Sequence, residues 1–399
     1  MNPSTTDVGC EPEARRLAIL RSIHHKDLFT KMDLVRDVHL SLPTINSILA
    51  DLQQEGYITP VGNAKSRGGR PPAQYRFNPT VRYAIGVEIK IPTLSIGLVD
   101  LRGQVMDVVE YPFEDSTGSE YVTETLERGI ERLLLAQQVE TEKLIGIGLG
   151  VPGFVERDSG VWLSFLWAPR IRELPLRTFL EKRFHVPVFI QNEMNVYASA
   201  ELHRSQRQIV RDALIITCAE GLKASVVVDG RILSGDHGNF GSVGHFIVVE
   251  NGHLCHCGAR GCLEMYVSGH AFRRLWLTTG CAIPGVDDLQ DPSLPDRIFR
   301  LAAEGEPTCR AIIEQVIPYM AYAFAGLIRL TDIDHVVLLG AFAEGGDYLR
   351  DLLQANVAER LPEVARKNLS FHIGDKLGVA DLLAAAAFPA IQASLGYTA

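Results

Sequence analysis

Apolar positions recur at helical spacing through the first part of the chain. Leu17, Leu20 and Ile23, with Ile19 beside them, predict a helix over Pro12–Ile23. Met32, Leu34 and Val35 predict a second, shorter one over Lys31–Val38. In HLSLPTINSILADLQQEGYI, Ile45, Ile48, Leu49 and Leu52 form one apolar face. Ser41 is placed to cap that helix, Pro43 falls in its first turn and Gly56 ends it. Three helices with a short turn between the last two predict a helix-turn-helix, whose third helix enters the major groove of DNA. The polar positions Thr44, Asn46 and Ser47 then face base edges or phosphates. The following stretch, YITPVGNAKSRGGRPPAQYRFNP, reads as two extended pieces around a Gly/Pro-rich tip, a wing carrying Lys65, Arg67 and Arg70. Prolines after Arg70 hold the chain extended, a shape that suits a narrow minor groove.

From residue 83 the pattern changes to continuous apolar, β-branched runs. YAIGVEIK and LSIGLVDLRGQVM predict a hairpin, followed by a helix over roughly 118–138 and a buried strand in LIGIGLGVPGF that ends at a Pro-Gly turn. Another helix precedes VPVFIQNEMN, read as a strand running into a polar loop. A second series begins with the hairpin ALIITCAEGLKASVVVDGRIL and continues with the strand HVVLLGAF. Strands alternating with helices imply an α/β fold with a largely buried sheet. Two similarly built halves imply two lobes and a cleft suited to a small ligand.

Length and composition narrow this picture. At 399 residues, 46% hydrophobic and 22% charged, the chain has room for two or three cored domains and is far from a disordered composition. The start, MNPSTTDVGCEPEARR, lacks the basic-then-apolar build of a signal peptide, and LLAAAAFPAI at 382–391 is too short to span a bilayer; both point to a cytoplasmic protein. The net charge is −9, yet residues 1–80 hold ten Lys/Arg against eight Asp/Glu. Between 61 and 82 there are five basic residues and no acid, which suits a DNA-binding head on an acidic body.

Three of the seven cysteines, Cys255, Cys257 and Cys262, crowd into HLCHCGARGCLE. In a reducing compartment that spacing favours a metal over a disulfide, and a tetrahedral zinc needs one more ligand: His245, His253 or His256. His256 lies between two of the cysteines, so its side chain tends to point away. Four protein ligands leave no open position, so the zinc is expected to be structural.

GVEIKIPTLSIGLVDLRG, GIGLGVPGFVERDSG, VPVFIQNEMN, GNFGSVGH and CHCGARGCLE occur in the order found in the ROK family of repressors, open reading frames and kinases, which the chain resembles over nearly its whole length. With the winged helix-turn-helix in front, it looks like the family's sugar-responsive repressors. The resemblance implies a two-lobed, actin-like (ribonuclease-H-like ATPase) α/β fold behind the head. It divides the chain into a head at 1–80, a first lobe at 81–195 joined by the C-terminal helix at 380–399, and a second lobe with the zinc loop at 196–379. It selects His245 as the fourth zinc ligand and implies a sugar site of Asn192, Glu193, His245 and Glu264, with Ser242 where the family has a glutamate.

The family's kinases hold ATP phosphates on glycine-rich loops. The matching stretches here are Glu88-Ile89-Lys90-Ile91-Pro92-Thr93, Ala219-Glu220-Gly221, and Gly340-Ala341 followed by the bulky Phe342. Lost glycines, a proline without an amide hydrogen and a glutamate facing polyphosphate argue against phosphoryl transfer. The expected protein is therefore a non-catalytic, sugar-sensing repressor. Its expected partners are an operator in double-stranded DNA, a sugar or sugar phosphate, one or three further copies of itself, and a transporter subunit as an alternative controlling partner. The other reading is a sugar kinase with an attached DNA-binding head.

Overall fold

Residues 12–63, 72–204, 211–218, 221–235, 240–279, 291 and 293–397 are described by a computed structural model. The head comprises α1 (Pro12–His24), the short strand β1 (Phe29–Thr30), α2 (Lys31–Val38), α3 (Leu42–Gln54), β2 (Ile58–Asn63) and β3 (Ala73–Phe77). Its strands pair in the order β1-β3-β2, so a three-stranded wing backs the helices. Thr30 and Asp33 form a capping box at α2, and the Ser41 hydroxyl accepts from the Thr44 amide at α3. Ile45, Leu49 and Leu52 turn inward, while Asn46 and Ser47 stay exposed.

The first lobe is built on β4 (Tyr83–Lys90), β5 (Thr93–Asp100) and β6 (Val105–Pro112), followed by α4 (Ser119–Ala136) and β7 (Leu144–Val151). Next come the small antiparallel strands β8 (Phe154–Glu156), β9 (Val161–Ser164) and β10 (Arg172–Leu174), then α5 (Leu176–Phe184) and β11 (Val188–Asn192). The main sheet runs β11-β7-β4-β5-β6, with an antiparallel meander on one side and parallel strands on the other.

One expectation fails here. No polar loop follows β11, because α6 (Glu193–Arg204) starts at the next residue. The Asn192 side chain accepts from the Met194 amide at 2.9 Å and so satisfies an amide of the first helical turn. The boundary expected at 195–196 falls inside this helix, which packs against strands of both lobes.

The second lobe repeats the plan with β12 (Ala213–Cys218), β13 (Leu222–Val228) and β14 (Arg231–Ile232). Helices α7 (Gly269–Thr279), α8 (Leu294–Glu304) and α9 (Pro307–Thr331) precede β15 (His335–Gly340). Then come α10 (Ala341–Glu344), α11 (Gly346–Glu359), α12 (Glu363–Arg366) and β16 (Ser370–Ile373). The order β14-β13-β12-β15-β16 matches that of the first sheet. By length and composition α9 could cross a membrane, yet Ile313, Val316, Met320 and Phe324 along it are buried in this lobe's core.

Chain-terminal α13 (Val379–Ser394) returns to the first sheet. Glycines line its seat: a Cβ at Gly86 would lie 1.9 Å from the Leu383 carbonyl oxygen, and one at Gly148 1.8 Å from that of Ala386. The apolar run LLAAAAFPAI is thus the small-residue face of a helix lying directly on a glycine-lined sheet. Beyond it, Ala390, Ile391 and Leu395 share one core with Ile19, Leu20, Ile23, Phe77, Val99 and Leu101. Head and first lobe are fused through this core.

Candidate metal centre and the adjoining cleft

Between the short turn Val243–His245 and Glu264 the chain folds back on itself, with bridges Ile247 to Cys262 and Leu254 to Arg260. The tight turn after Cys255 closes with Gly258 N–H donating to the Cys255 carbonyl at 3.0 Å. Gly261 has φ +82°, and a Cβ there would lie 1.7 Å from the Val249 carbonyl oxygen, so only glycine fits just before Cys262.

This fold brings a ring nitrogen of His245 and the Sγ atoms of Cys255, Cys257 and Cys262 within 4.8 Å of one another. Cys255 Sγ lies 3.7 Å from His245 Nδ1, and Cys257 Sγ 3.6 Å from Cys262 Sγ. A tetrahedral zinc with bonds of about 2.3 Å to sulfur and about 2.0 Å to nitrogen spaces its ligand atoms roughly 3.5–3.8 Å apart. Donor chemistry and spacing therefore fit zinc. Burial and the neighbouring sulfurs push the Cys262 thiol up to about 12, an electrostatic cost that a dication relieves. Of the other two histidines, His253 lies against Tyr266, and His256 lies beside Glu264, these two and Cys255 forming a second group of donor atoms within 4.8 Å of one another.

Glu264 is buried in a cradle of two glycines: a Cβ at either Gly221 or Gly244 would lie 2.9 Å from its Oε2. Its carboxylate accepts from the Leu222 amide at 3.3 Å and lies 3.6 Å from His256 Nε2. Burial works to raise its pKa, but the His256 contact, the charge of His245 and the Leu222 amide prevail and hold it below the usual carboxylate value.

On the facing side, Asn192 donates to the Gly153 carbonyl at 2.7 Å while capping α6, so it ties the Pro-Gly turn to the helix start. Glu193 is ion-paired with Lys223 of β13. Behind it, burial pushes the Glu88 carboxyl up against the opposing effect of Lys90. Glu193 thus faces β13, whose first residue, Leu222, donates to Glu264. Lys223 was not anticipated; its one signal is a lone charge in the mostly apolar strand LKASVVV.

Two of the stretches matched to phosphate loops are described in full. Ile91-Pro92 is the two-residue turn between β4 and β5, with Lys90 paired to Thr93. Gly340-Ala341 leads into Phe342 at the end of β15. Phe342 is fully buried between Phe299 and Phe324, since an aromatic ring gains more from the second lobe's core than from water. Ala219 and Glu220 lie outside the described residues, as do Lys65, Arg67 and Arg70 of the wing.

Comparison with known proteins places these features. A model described as "ROK family" matches residues 84–385. A xylose repressor of Caldicellulosiruptor bescii is 27% identical over 356 residues, covering 87% of this chain and 88% of that protein. That is more than residues 84–399 alone could supply, so the likeness extends into the head. A glucokinase of Halalkalibacterium halodurans is 28% identical over 300 residues, covering 71% of this chain and 88% of its own. Among solved structures, a ROK family transcriptional regulator homologous to the Escherichia coli MLC protein superposes with a TM-score of 0.78 over 96% of both chains at 24% identity.

Proposed function

The chain belongs to the ROK family, and on that premise we propose that it is a sugar-sensing, DNA-binding transcriptional regulator that acts as a repressor. One observation carries the reading: a winged helix-turn-helix shares a single core with the first lobe and α13 of a two-lobed body. A head built this way cannot move independently of the lobe beside the cleft.

In this reading residues 1–80 read DNA. Thr44, Asn46 and Ser47 on the open face of α3 meet the major groove, and Lys65, Arg67 and Arg70 of the wing contact the backbone or minor groove. The lobes at 81–195 with 380–399, and at 196–379, enclose a sugar or sugar phosphate. Glu193 and Glu264 accept its hydroxyls, with Asn192 and His245 beside them. His245, Cys255, Cys257 and Cys262 hold a zinc whose four protein ligands leave no place for a reacting water, so the metal supplies shape.

Phosphoryl transfer is not part of the proposal. The turn at Ile91-Pro92 offers no glycine amides to a phosphate, and Glu193, at the position of the kinases' base, is engaged by Lys223. Two copies, or two pairs, would set their reading helices about one DNA turn apart, on the order of 34 Å, a spacing that a change in lobe closure would alter. The protein acts in the cytoplasm, and a transporter subunit is the alternative source of control.

The test is operator affinity. DNA enriched from a random pool by the zinc-loaded protein is titrated with and without a panel of pentoses, hexoses and their phosphates, beside a coupled assay for ADP release. A sugar-dependent change of tenfold or more without ADP release is expected. ADP release with any hexose turns the reading to a sugar kinase with a DNA-binding head, and no response to any sugar ends the sensor reading.

A further inference from the structure

Trp167 sits on the loop between β9 and β10, where the first lobe reaches the metal loop of the second. The loop is held on both sides of it. Ala168 and Ile171 are fully buried, their amides donate to the Phe165 and Ala168 carbonyls, and Trp162 is locked by its bond to the Pro152 carbonyl at 2.7 Å. Between these anchors a large indole is left half-buried at the cleft.

Its neighbours come from the other lobe. The His270 ring, in the first turn of α7, stacks on it at 4.2 Å and 14°. The His256 ring meets it edge-on at 4.7 Å and 71°. The same His256 lies 3.6 Å from Glu264 and keeps a side chain 28% exposed. A flat ring is therefore held between an indole of the first lobe and a buried carboxylate of the second, the arrangement a ring ligand with hydroxyls would use. A pyranose has an apolar C–H face that favours an aromatic surface and hydroxyls that favour a carboxylate.

We propose that Trp167 is a ligand-contacting and specificity-determining residue of the cleft, and that His256 holds the position a pyranose takes between Trp167 and Glu264. The inference rests on the reading of the cleft as the sugar site. On entry the sugar takes over both contacts of His256, its C–H groups against the edge of the indole whose face His270 covers and a hydroxyl on Glu264. Because Trp167 belongs to the first lobe and Glu264 to the second, the ligand bridges the lobes directly. A sugar that turns a hydroxyl toward the indole where these C–H groups lie fits it less well.

The experiment uses the full-length, zinc-loaded protein, titrated calorimetrically with D-glucose, D-xylose, N-acetyl-D-glucosamine and D-glucose 6-phosphate. The wild type is compared with W167F, W167A and E264Q. The sugar that binds the wild type is expected to bind W167A at least tenfold more weakly and W167F within about threefold. A sugar-induced change in tryptophan emission is expected in the wild type and lost in W167F, although Trp162 and Trp276 remain. Unchanged affinity in W167A, with binding lost in E264Q, overturns the role of Trp167 and leaves the sugar site standing. No binding by the wild type overturns both. Should W167A fail to fold, an emission change that persists undiminished in W167F overturns the proposal.

Discussion

Cysteine thiols as close together as Cys255, Cys257 and Cys262 cannot all ionise without a cation to share, which is why burial and proximity hold Cys262 at about 12. A zinc on His245, Cys255, Cys257 and Cys262 would also tie the turn at His245 to the hairpin loop before Glu264, linking metal to fold. Purified protein is expected to carry one zinc per chain by elemental analysis. A strong chelator, or C257S, should lower the melting temperature by roughly 10 °C or more, with the second lobe losing amide protection first. Another residue responds to protons. Burial, helped by neighbouring His372 and opposed by Asp334, lowers the pKa of His335 from 6.5 to about 4. Between those values the unfolded chain binds the proton and the folded one does not, so this residue's contribution to stability is intact above pH 6.5 and is lost as pH falls toward 4. Melting temperature measured from pH 7 to 4 should fall less steeply in H335Q than in the wild type.

At the scale of elements, the contact of α13 with the first sheet depends on missing side chains. Gly86 and Gly148 bring backbone against backbone, and nothing there can rotate away from an added methyl group. G148A is expected to cost about 3 kcal/mol or more in chemical denaturation. G230A, at φ +73° with open space around it, should cost only about 1 kcal/mol. In the head, the Ser41 hydroxyl satisfies an orphan amide at the start of α3. S41A should cost about 1 kcal/mol and weaken DNA binding by loosening the end of the helix that carries Thr44, Asn46 and Ser47.

Across the whole molecule, three helices link cleft to head. α6 begins at Glu193 beside the cleft and packs on α13, where His203 meets Phe388 at a ring separation of 3.7 Å. The end of α13 then enters the head core, and the Arg21 guanidinium of α1 donates to the Gly396 carbonyl. Two further contacts fix the head on the first lobe: His24 is bonded to the Leu101 carbonyl, and Arg102 pairs with Asp27 at 2.8 Å. L395D places a charge in this shared core. Hydrogen exchange should then rise across residues 12–82 and in α13, with little change in β12 and β15; unchanged exchange in the head would contradict a shared core.

The local elements were legible because local physics sets them. Helical periodicity with Ser41 and Pro43 marked α3, β-branched runs marked the buried strands, and the close Cys spacing with its glycines marked the metal loop. Motif order marked the family, which is a property of linear sequence. Long-range packing decided what remained. Which of three histidines groups with all three cysteines, that Glu193 is held by Lys223, that Phe342 faces the core and that α13 welds the head to the first lobe all depend on residues far apart in the chain meeting in space. No spacing rule encodes those meetings, because they arise only when separate apolar faces are buried against one another.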